Sequence, residues 1–521
     1  MAAEGDLVRV YDAIHYPYLA HAESHPDRLA VIARLHGIAA APVANARVLD
    51  IGCAGGGNLA SMSMSLPNAD LLGIDISAAQ IDEGRAAITA AGIKNVTLQT
   101  LDFIEAGKSL KKFDYVIAHG VFSWVSRDAQ DELFSLISRC LSPNGVAYVS
   151  YNTRPGCQEL MAIRDATLYE IRAIDDPKER IARARDYLAW LGESLPDGGA
   201  RGRRFIDELA RMQASDDQTL LHDQLAPFNS PIHVNKLVAR AARYGLWYLC
   251  DAQPPLSADH SLTPEAQIAR ARYSKELVEA EQHFDILANT RLRRSLFCRR
   301  GSPLTRDVDP KLVDDMFVSF LGYPVPAENG AALDPTDAST ITFRTAQANL
   351  ETNRPPMKAA LLHLVSVAPR AIPFAELLAA VRDVLGQSFD ADADAAEIRQ
   401  GLVDAFLSTV GTVTLRTLPT PCVSEAGEHP MTTTWARQVA RFSTRIPNVD
   451  HHMVNVDSVV QGLLPLLDGT RDRATLEAEL AAKVERGEIV VLMPDGKRGK
   501  PAPGAMDRAL RGLARSSLLI A

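Results

Sequence analysis

Strand-like and helical stretches alternate along residues 47–152, and that rhythm limits the possible folds more than any other feature of the chain. The runs RVLDIG (47–52), DLLGIDI (70–76), NVTLQTLD (95–102), FDYVIAHG (113–120) and GVAYVSYN (145–152) are separated by helical stretches such as AAQIDEGRAAITAAG and DAQDELFSLISRCLS. A strand that feeds a helix and then another strand of the same sheet makes a right-handed crossover, so helices come to cover both faces of a mostly parallel sheet. The expected class is therefore α/β.

After Asn152 the rhythm stops. Residues 157–212 are charged and helical in spacing, and read as an insertion. A helix feeding a strand returns in SPIHVNKLVARAARYGLWYLCDAQ, with the strand near 246–251, and another strand-like run follows at RRSLFCRR (293–300). Those two can finish the sheet as a terminal antiparallel hairpin. Residues 323–340 are rich in Pro, Gly, Ala, Asp and Thr and read as a linker or long loop. Beyond them PPMKAALLHLVSVAP, PFAELLAAVRDVLG and AEIRQGLVDAFLSTV look like short amphipathic helices ahead of a strand, TVTLRTLP (412–419), which fits a winged-helix-like unit. LLPLLDGTRDRATLEAELA (463–481) and AMDRALRGLARSSLLI (505–520) add further helix.

Composition excludes several functions. At 521 residues the chain is long enough for about three domains. A formal charge of -9 supplies no global positive field to draw it onto nucleic acid or anionic membrane. The basic knots Arg201/Arg203/Arg204 and Arg291/Arg293/Arg294 read as solvated faces or internal ion pairs. The six cysteines stand apart, with no Cys/His pair at metal-ligand spacing, so no metal site is expected. No apolar run reaches the roughly 18 residues of a membrane span and no signal-type start occurs, which points to a cytoplasmic protein.

VLDIGCAGGGN (48–58) ends an apolar strand in an acid and then breaks into glycines. Such a turn between a first strand and its helix lets backbone approach a nucleotide where side chains would clash. A P-loop is excluded, since no Gly-Lys-Ser/Thr follows, and the order Asp50, Gly52, Ala54, Gly55, Gly56, Gly57 departs from the dinucleotide GxGxxG. It resembles the (D/E)xGxGxG pattern of class I S-adenosylmethionine-dependent methyltransferases, with Ala54 where that family usually has its second glycine. The resemblance implies a loop packed on the methionine part of the cofactor. Asp75 ends the second strand in GIDIS, where a carboxylate can accept from both ribose hydroxyls. Asp102 follows the third in TLDF, placed for the adenine amino group with Phe103 beside the ring, and LSPNG (141–145) resembles the family's LxPGG turn before strand five. The candidate cofactor contacts are Asp50, Gly52, Cys53, Ala54, Gly55, Gly57, Asn58, Asp75, Ile76, Gln80, Asp102, Phe103, His119 and Gly120.

The fourth strand ends in AHGVFSWV (118–125), at the carboxyl edge where open α/β sheets place their ligands. No (N/D)PPY stands there, which disfavours adenine, cytosine and glutamine amide nitrogens as acceptors. Transfer from a sulfonium is an in-line displacement that needs alignment and exclusion of water. A lysine acceptor must also lose a proton from a group whose ordinary pKa is about 10.4, and an apolar or aromatic channel lowers that value. Channel candidates are Tyr11, Tyr16, Tyr18, His119, Phe122, Trp124, Tyr151 and Asn152, of which Tyr11, Tyr16, His119, Trp124 and Asn152 form the candidate catalytic set. Tyr18, Phe122 and Trp124 also fit plain core packing, and His119 a buried neutral histidine.

YDAIHYPY (11–18), HPDRLAVIARLHG (25–37), HGVFSWV (119–125), GVAYVSYNTRPG (145–156), HDQLAPFNSPIHV (222–234) and LLPLLDGTRDRATL (463–476) together resemble a narrower group. It is the bacterial outer-membrane-protein lysine methyltransferases and their relatives with a methyltransferase regulatory domain. The resemblance implies N-methylation of lysine, a polypeptide acceptor such as a cell-surface protein, and a possible homodimer. Arg154 stands where that group would have Leu in YNTLPG. The implied divisions are a cofactor-binding core (1–156) of a seven-stranded Rossmann-like domain, a helical insertion (157–214), a regulatory-type segment completing the sheet (215–300), a linker region (301–340), a small mixed domain (341–420) and a helical C-terminal domain (421–521). A small-molecule methyltransferase with capping domains and a non-catalytic cofactor-binding protein are the alternatives. The acid series Asp50, Asp75, Asp102 weighs against the latter.

Overall fold

The computed structural model describes residues 16–106, 110–195, 199–253, 263, 265, 268, 272–326, 333–345, 349–408, 413–492, 498–499 and 504–521. After a short 3-10 turn at Ala22–Ser24, the first described α-helix is Pro26–Leu35; Pro26 sits in its first turn and the His25 ring accepts from the Asp27 N–H. Strands β1 (Arg47–Ile51), β2 (Asp70–Asp75), β3 (Val96–Thr100), β4 (Phe113–Ala118) and β5 (Leu141–Asn152) then run parallel, with helices Gly57–Ser63, Ala78–Ala90 and Arg127–Cys140 between them. Strands β6 (Leu246–Asp251) and β7 (Leu292–Arg299) close the sheet, and β7 lies between β5 and β6, antiparallel to both. The seven-stranded order is β3-β2-β1-β4-β5-β7-β6. It reverses between β1 and β4, so the connections leaving their carboxyl ends diverge and open a crevice.

Side chains alternate across this sheet as the pleat requires. Val48, Tyr115, Ile117, Val146 and Tyr148 face helices Pro26–Leu35, Gly57–Ser63 and Ala78–Ala90 through Leu29, Leu59 and Ile81. Leu49, Ile51, Val116, Ala118, Ala147 and Val149 face helices Arg127–Cys140 and Val234–Arg243 through Leu133, Phe134, Leu237 and Ala241. The LSPNG stretch differs from the expected turn, because β5 already begins at Leu141. The register slips from Phe113↔Leu141 to Tyr115↔Val146, so the extra residues are absorbed as an irregularity within the strand.

Helices Gln158–Glu170, Pro177–Ser194 and Gly199–Ala214 form the insertion around their own small core of Ile163, Ala184, Leu188 and Met212. The C-terminal half behaves otherwise. The core on the first sheet face runs without a break into Leu361, Leu377, Leu402, Trp435, Leu464 and Leu513. Asp27 of the first helix accepts from the Thr417 N–H at 2.8 Å, just beyond strand Val413–Arg416, which pairs with strand Phe317–Phe320. Part of the stretch that reads as linker is tied down too. Buried Lys358 donates to the carbonyls of Asp334, Asp337 and Ser339 and to the Asp337 carboxylate at 2.7–3.0 Å. Among the described residues no helix is long and apolar enough to cross a membrane.

Candidate active site

The loop after β1 is shaped by positive backbone angles at Gly52 (φ 71°), Ala54 (φ 50°) and Gly56 (φ 74°). It is held from β2: the Gly52 and Cys53 N–H groups donate to the Ile74 carbonyl at 2.8 and 3.1 Å. Asp75 spans two elements, its Oδ2 accepting from the Ala54 N–H at 2.8 Å and its Oδ1 from the Ser77 N–H at 2.9 Å. Ser77 in turn caps helix Ala78–Ala90 by accepting from the Gln80 N–H. Two of the loop glycines serve another purpose than ligand approach. A Cβ on Gly57 would stand 2.7 Å from the Tyr18 Cα, and one on Gly55 2.7 Å from the Tyr18 ring, so these positions let the N-terminal segment lie across the loop.

Ala54 explains itself as the strained member of the loop. A left-handed conformation costs an L-residue about 1–2 kcal/mol, while glycine adds about 0.4–1 kcal/mol of unfolded-chain entropy. Ala54→Gly should therefore stabilise the protein by up to about 1 kcal/mol, read from urea unfolding, with cofactor affinity kept because the N–H bond to Asp75 survives. A loss of stability would show that the Ala methyl is needed for packing.

At the carboxyl ends of the strands lies a cavity of about 200 Å³. Every candidate cofactor residue from Asp50 to Gly120 lines it, as do Tyr16, His119 and Trp124 of the candidate catalytic set. Tyr11 lies outside the described residues. Asn152 is a correction: it does not line the cavity. Its Nδ2 donates to Asn229 Oδ1 at 3.0 Å, its N–H to Ser123 Oγ at 2.9 Å, and its carbonyl accepts from the Ile232 N–H, so it is committed to joining β5 to residues 229–232. Of the other channel candidates, Tyr151 is fully buried with its hydroxyl on Ser295, Phe122 packs on Phe134, and Tyr18 packs on Trp435 and Phe442. Arg154 is outside the cavity as well, its Nε donating to the Pro231 carbonyl. Among the lining residues that sequence reasoning missed are Pro17, Leu19 and His21 of the N-terminal segment, and His222, Asp223 and Phe228. The last three stand in HDQLAPFNSPIHV, a stretch that carried family resemblance and no assigned chemistry.

The lining carries the four carboxylates of Asp50, Asp75, Asp102 and Asp223, and no Lys or Arg among the described residues. Burial pushes Asp50 up to about 7, with the Asn58 amide 3.2 Å away opposing the shift and Asp75 adding to it. Burial drives His119 well below its usual range and His21 down to about 4, so both rings are neutral. They stack with centroids 3.6 Å apart, and His119 Nδ1 pairs with the Tyr148 hydroxyl at 2.9 Å. Ile76 and Ile104, which expose 39% and 41% of their surface, line the cavity together with Phe103 and give it an apolar part suited to a flat base. Such a lining suits a ligand with cationic groups and a flat base. Among the described lining residues a dinucleotide pyrophosphate would find no positive side chain.

A residue of the C-terminal half reaches the same loop. His451 (φ 64°) places Nε2 2.8 Å from Asn58 Oδ1 and Nδ1 3.0 Å from Ser61 Oγ, while Asn58 Nδ2 donates to Asp50. The C-terminal half thereby orients an amide that touches a cavity carboxylate.

Three family models match the chain: "Methyltransferase domain" over residues 49–147, "Predicted methyltransferase regulatory domain" over 216–299, and "PKMT, C-terminal winged helix domain" over 428–518. The winged-helix match falls downstream of residues 341–420, where the helix-then-strand pattern suggested such a unit. Sheet order, cavity and these matches place the protein: it belongs to the class I S-adenosylmethionine-dependent methyltransferases, and S-adenosylmethionine is its cofactor. Within that class it stands with the PKMT group. The structure of PKMT2 from Rickettsia typhi in complex with AdoHcy is 25% identical and superposes with a TM-score of 0.84 over 97% of this chain and 100% of that one. Uncharacterized protein RP789 of Rickettsia prowazekii (strain Madrid E) is 28% identical over 488 residues, 92% of this chain and 87% of that protein. EEF1A lysine methyltransferase 2 of Danio rerio is 33% identical over 87 residues, 17% of this chain and 37% of that protein.

Proposed function

We propose that this enzyme transfers the methyl group of S-adenosylmethionine to lysine side chains of a polypeptide. The observation that carries the proposal is the cavity lining: an anionic, aromatic space joins the cofactor loop to Tyr16, Trp124 and Phe228, with no fixed cation among the described residues to repel an ammonium. When bound, the cofactor supplies an electrophilic methyl on a sulfonium, whose C–S bond breaks as the C–N bond forms, leaving the neutral thioether AdoHcy. Asp75 would hold the ribose hydroxyls, Asp102 the adenine amino group, and Asp50 the methionine ammonium. The neutral rings of His21 and His119 add no positive charge beside these groups. Tyr16, Trp124 and Phe228 desolvate the incoming amine, which lowers its pKa and frees its lone pair. Residues beyond 300 are far more than a small acceptor needs, and we assign them to gripping a polypeptide.

Incubation of the purified protein with methyl-labelled S-adenosylmethionine and a cell-envelope fraction, followed by residue mapping, tests this reading. Label on lysine of a polypeptide is expected. Label confined to small organic-soluble material would replace the acceptor with a small molecule.

Asp50 makes cofactor binding depend on pH. Its raised folded pKa means that the carboxyl is protonated below about 7, whereas a bound ammonium needs the ionised form. AdoHcy affinity measured by calorimetry should therefore fall by up to about tenfold per pH unit below that point. Asp50→Asn should flatten the profile. An equally steep profile in the variant would assign the titration to another group.

A further inference from the structure

Three of the cavity carboxylates stand at or just beyond the carboxyl ends of β1, β2 and β3, where the cofactor lies on the proposed assignment. The fourth, Asp223, does not belong to the sheet at all. It sits in the short π-helical turn Leu220–Gln224, beyond the helical insertion, and brings a further negative charge to the lining of the same cavity.

Its backbone is held firmly. Trp124 Nε1 and Asn229 Nδ2 both donate to the Asp223 carbonyl at 3.2 Å. Asn229 Oδ1 accepts from Asn152 at the end of β5, and the Ser230 N–H donates to the Ser123 carbonyl at 2.8 Å. Asn152, which the sequence suggested as catalytic, thus fastens the segment that carries Asp223.

The side chain is the opposite case. No ion pair or hydrogen bond reaches the Asp223 carboxylate from the described residues, and its neighbours in the lining include Trp124, His222 and Phe228. Burial, with Asp216 adding to it, raises its pKa to about 6, so at neutral pH it is a charge without a counterion among the described residues. A partly desolvated carboxylate left in that state is costly unless a ligand cation completes it. An aromatic wall beside such a carboxylate is the arrangement that holds an alkylammonium, by ionic hydrogen bonding and cation–π attraction together.

We propose that Asp223 is the anion that receives the ammonium of the acceptor lysine, with Trp124 and Phe228 flanking its alkyl stem. This rests on the lysine reading above and names the residue that selects a cationic acceptor. Asp223 would hold the ammonium in the cavity; its proton then passes to solvent, and the lone pair of the neutral amine forms the new C–N bond.

The test uses n-butylamine as a stand-in for the lysine side chain, titrated by saturation-transfer NMR into the full-length protein saturated with AdoHcy, with n-butanol as the uncharged control. Asp223→Asn should weaken n-butylamine binding by about tenfold or more and leave AdoHcy and n-butanol binding unchanged. Equal amine binding by the variant, or no preference for the amine over the alcohol in the wild type, overturns the proposal. The readout needs no turnover. Asp223-dependent amine binding with no label on protein lysine would retain the ammonium site and discard the polypeptide acceptor. Lysine labelling with KM for the acceptor and amine binding both unmoved by Asp223→Asn would retain the acceptor and discard Asp223.

Discussion

Asp75→Ala should weaken AdoHcy binding by about 100-fold or more. On the proposed assignment the carboxylate accepts two ribose hydroxyls, and hydrogen bonds to a charged group contribute about 1.5–3 kcal/mol each, against about 1.4 kcal/mol per factor of ten. The variant loses more than ligand contacts. Asp75 also accepts the Ala54 N–H at 2.8 Å and the Ser77 N–H at 2.9 Å, so its removal releases the loop at its most strained residue. The thermal midpoint of the cofactor-free protein should fall as well. Asp75→Asn keeps an acceptor oxygen for one backbone donor and should be intermediate in both measurements. Asp102→Ala, which removes a single bond to the adenine amino group, should cost only about tenfold. Calorimetric titration of the three variants orders them. Wild-type affinity in Asp75→Ala would take the ribose away from Asp75, whatever happened to stability.

The part of this site built from chain-local chemistry was legible in the sequence. Asp50, the glycine-rich loop, Asp75 and Asp102 each follow a strand by a few residues, so strand periodicity alone places them on one edge of a parallel sheet, and all of them line the cavity. The closing hairpin of β6 and β7 was legible for the same reason. What sequence could not supply was reach across long separations. Asp223 is carried to the cavity by an insertion of three helices, and His451 meets Asn58 across most of the chain. No spacing rule connects such residues. The glycines show a subtler limit: Gly55 and Gly57 are needed where they stand, yet what presses on them is Tyr18. Asn152 misled because a polar residue at a strand's carboxyl end has the same local pattern whether it faces a ligand or clamps a neighbouring loop.

Arg293→Met should destabilise the fold by about 3–5 kcal/mol, the cost of leaving buried charge without its partner. The sequence could say only that this arginine belonged to a solvated face or an internal pair. It is internal. Arg293 on β7 is 3% exposed; it donates to the Asp285 carboxylate at 2.9 Å and pairs ionically with Glu281 at 2.6 Å and with Asp251 of β6 at 3.4 Å. One guanidinium thus joins three carboxylates from β6 and helix Leu277–Ala288, and fixes the edge of the sheet against the helix that precedes β7. Burial raises the Glu281 pKa to about 7 even with Arg293 beside it. A folded pKa above the unfolded value of 4.5 gives stability that is complete below that value and is lost as pH rises through about 7. Without Arg293 the carboxyls would be still harder to ionise, so the deficit of the variant should be greatest at pH 8 and shrink by pH 6. Thermal unfolding at both values checks the sign; at about 2–4 °C per kcal/mol, the midpoint at neutral pH should drop by about 10 °C. A midpoint independent of the substitution, or a deficit that grows on acidification, would mean that the three carboxylates do not depend on Arg293 for their charge. AdoHcy affinity measured below the new midpoint should stay close to wild type, because the cluster touches neither the loop after β1 nor Asp75 and Asp102.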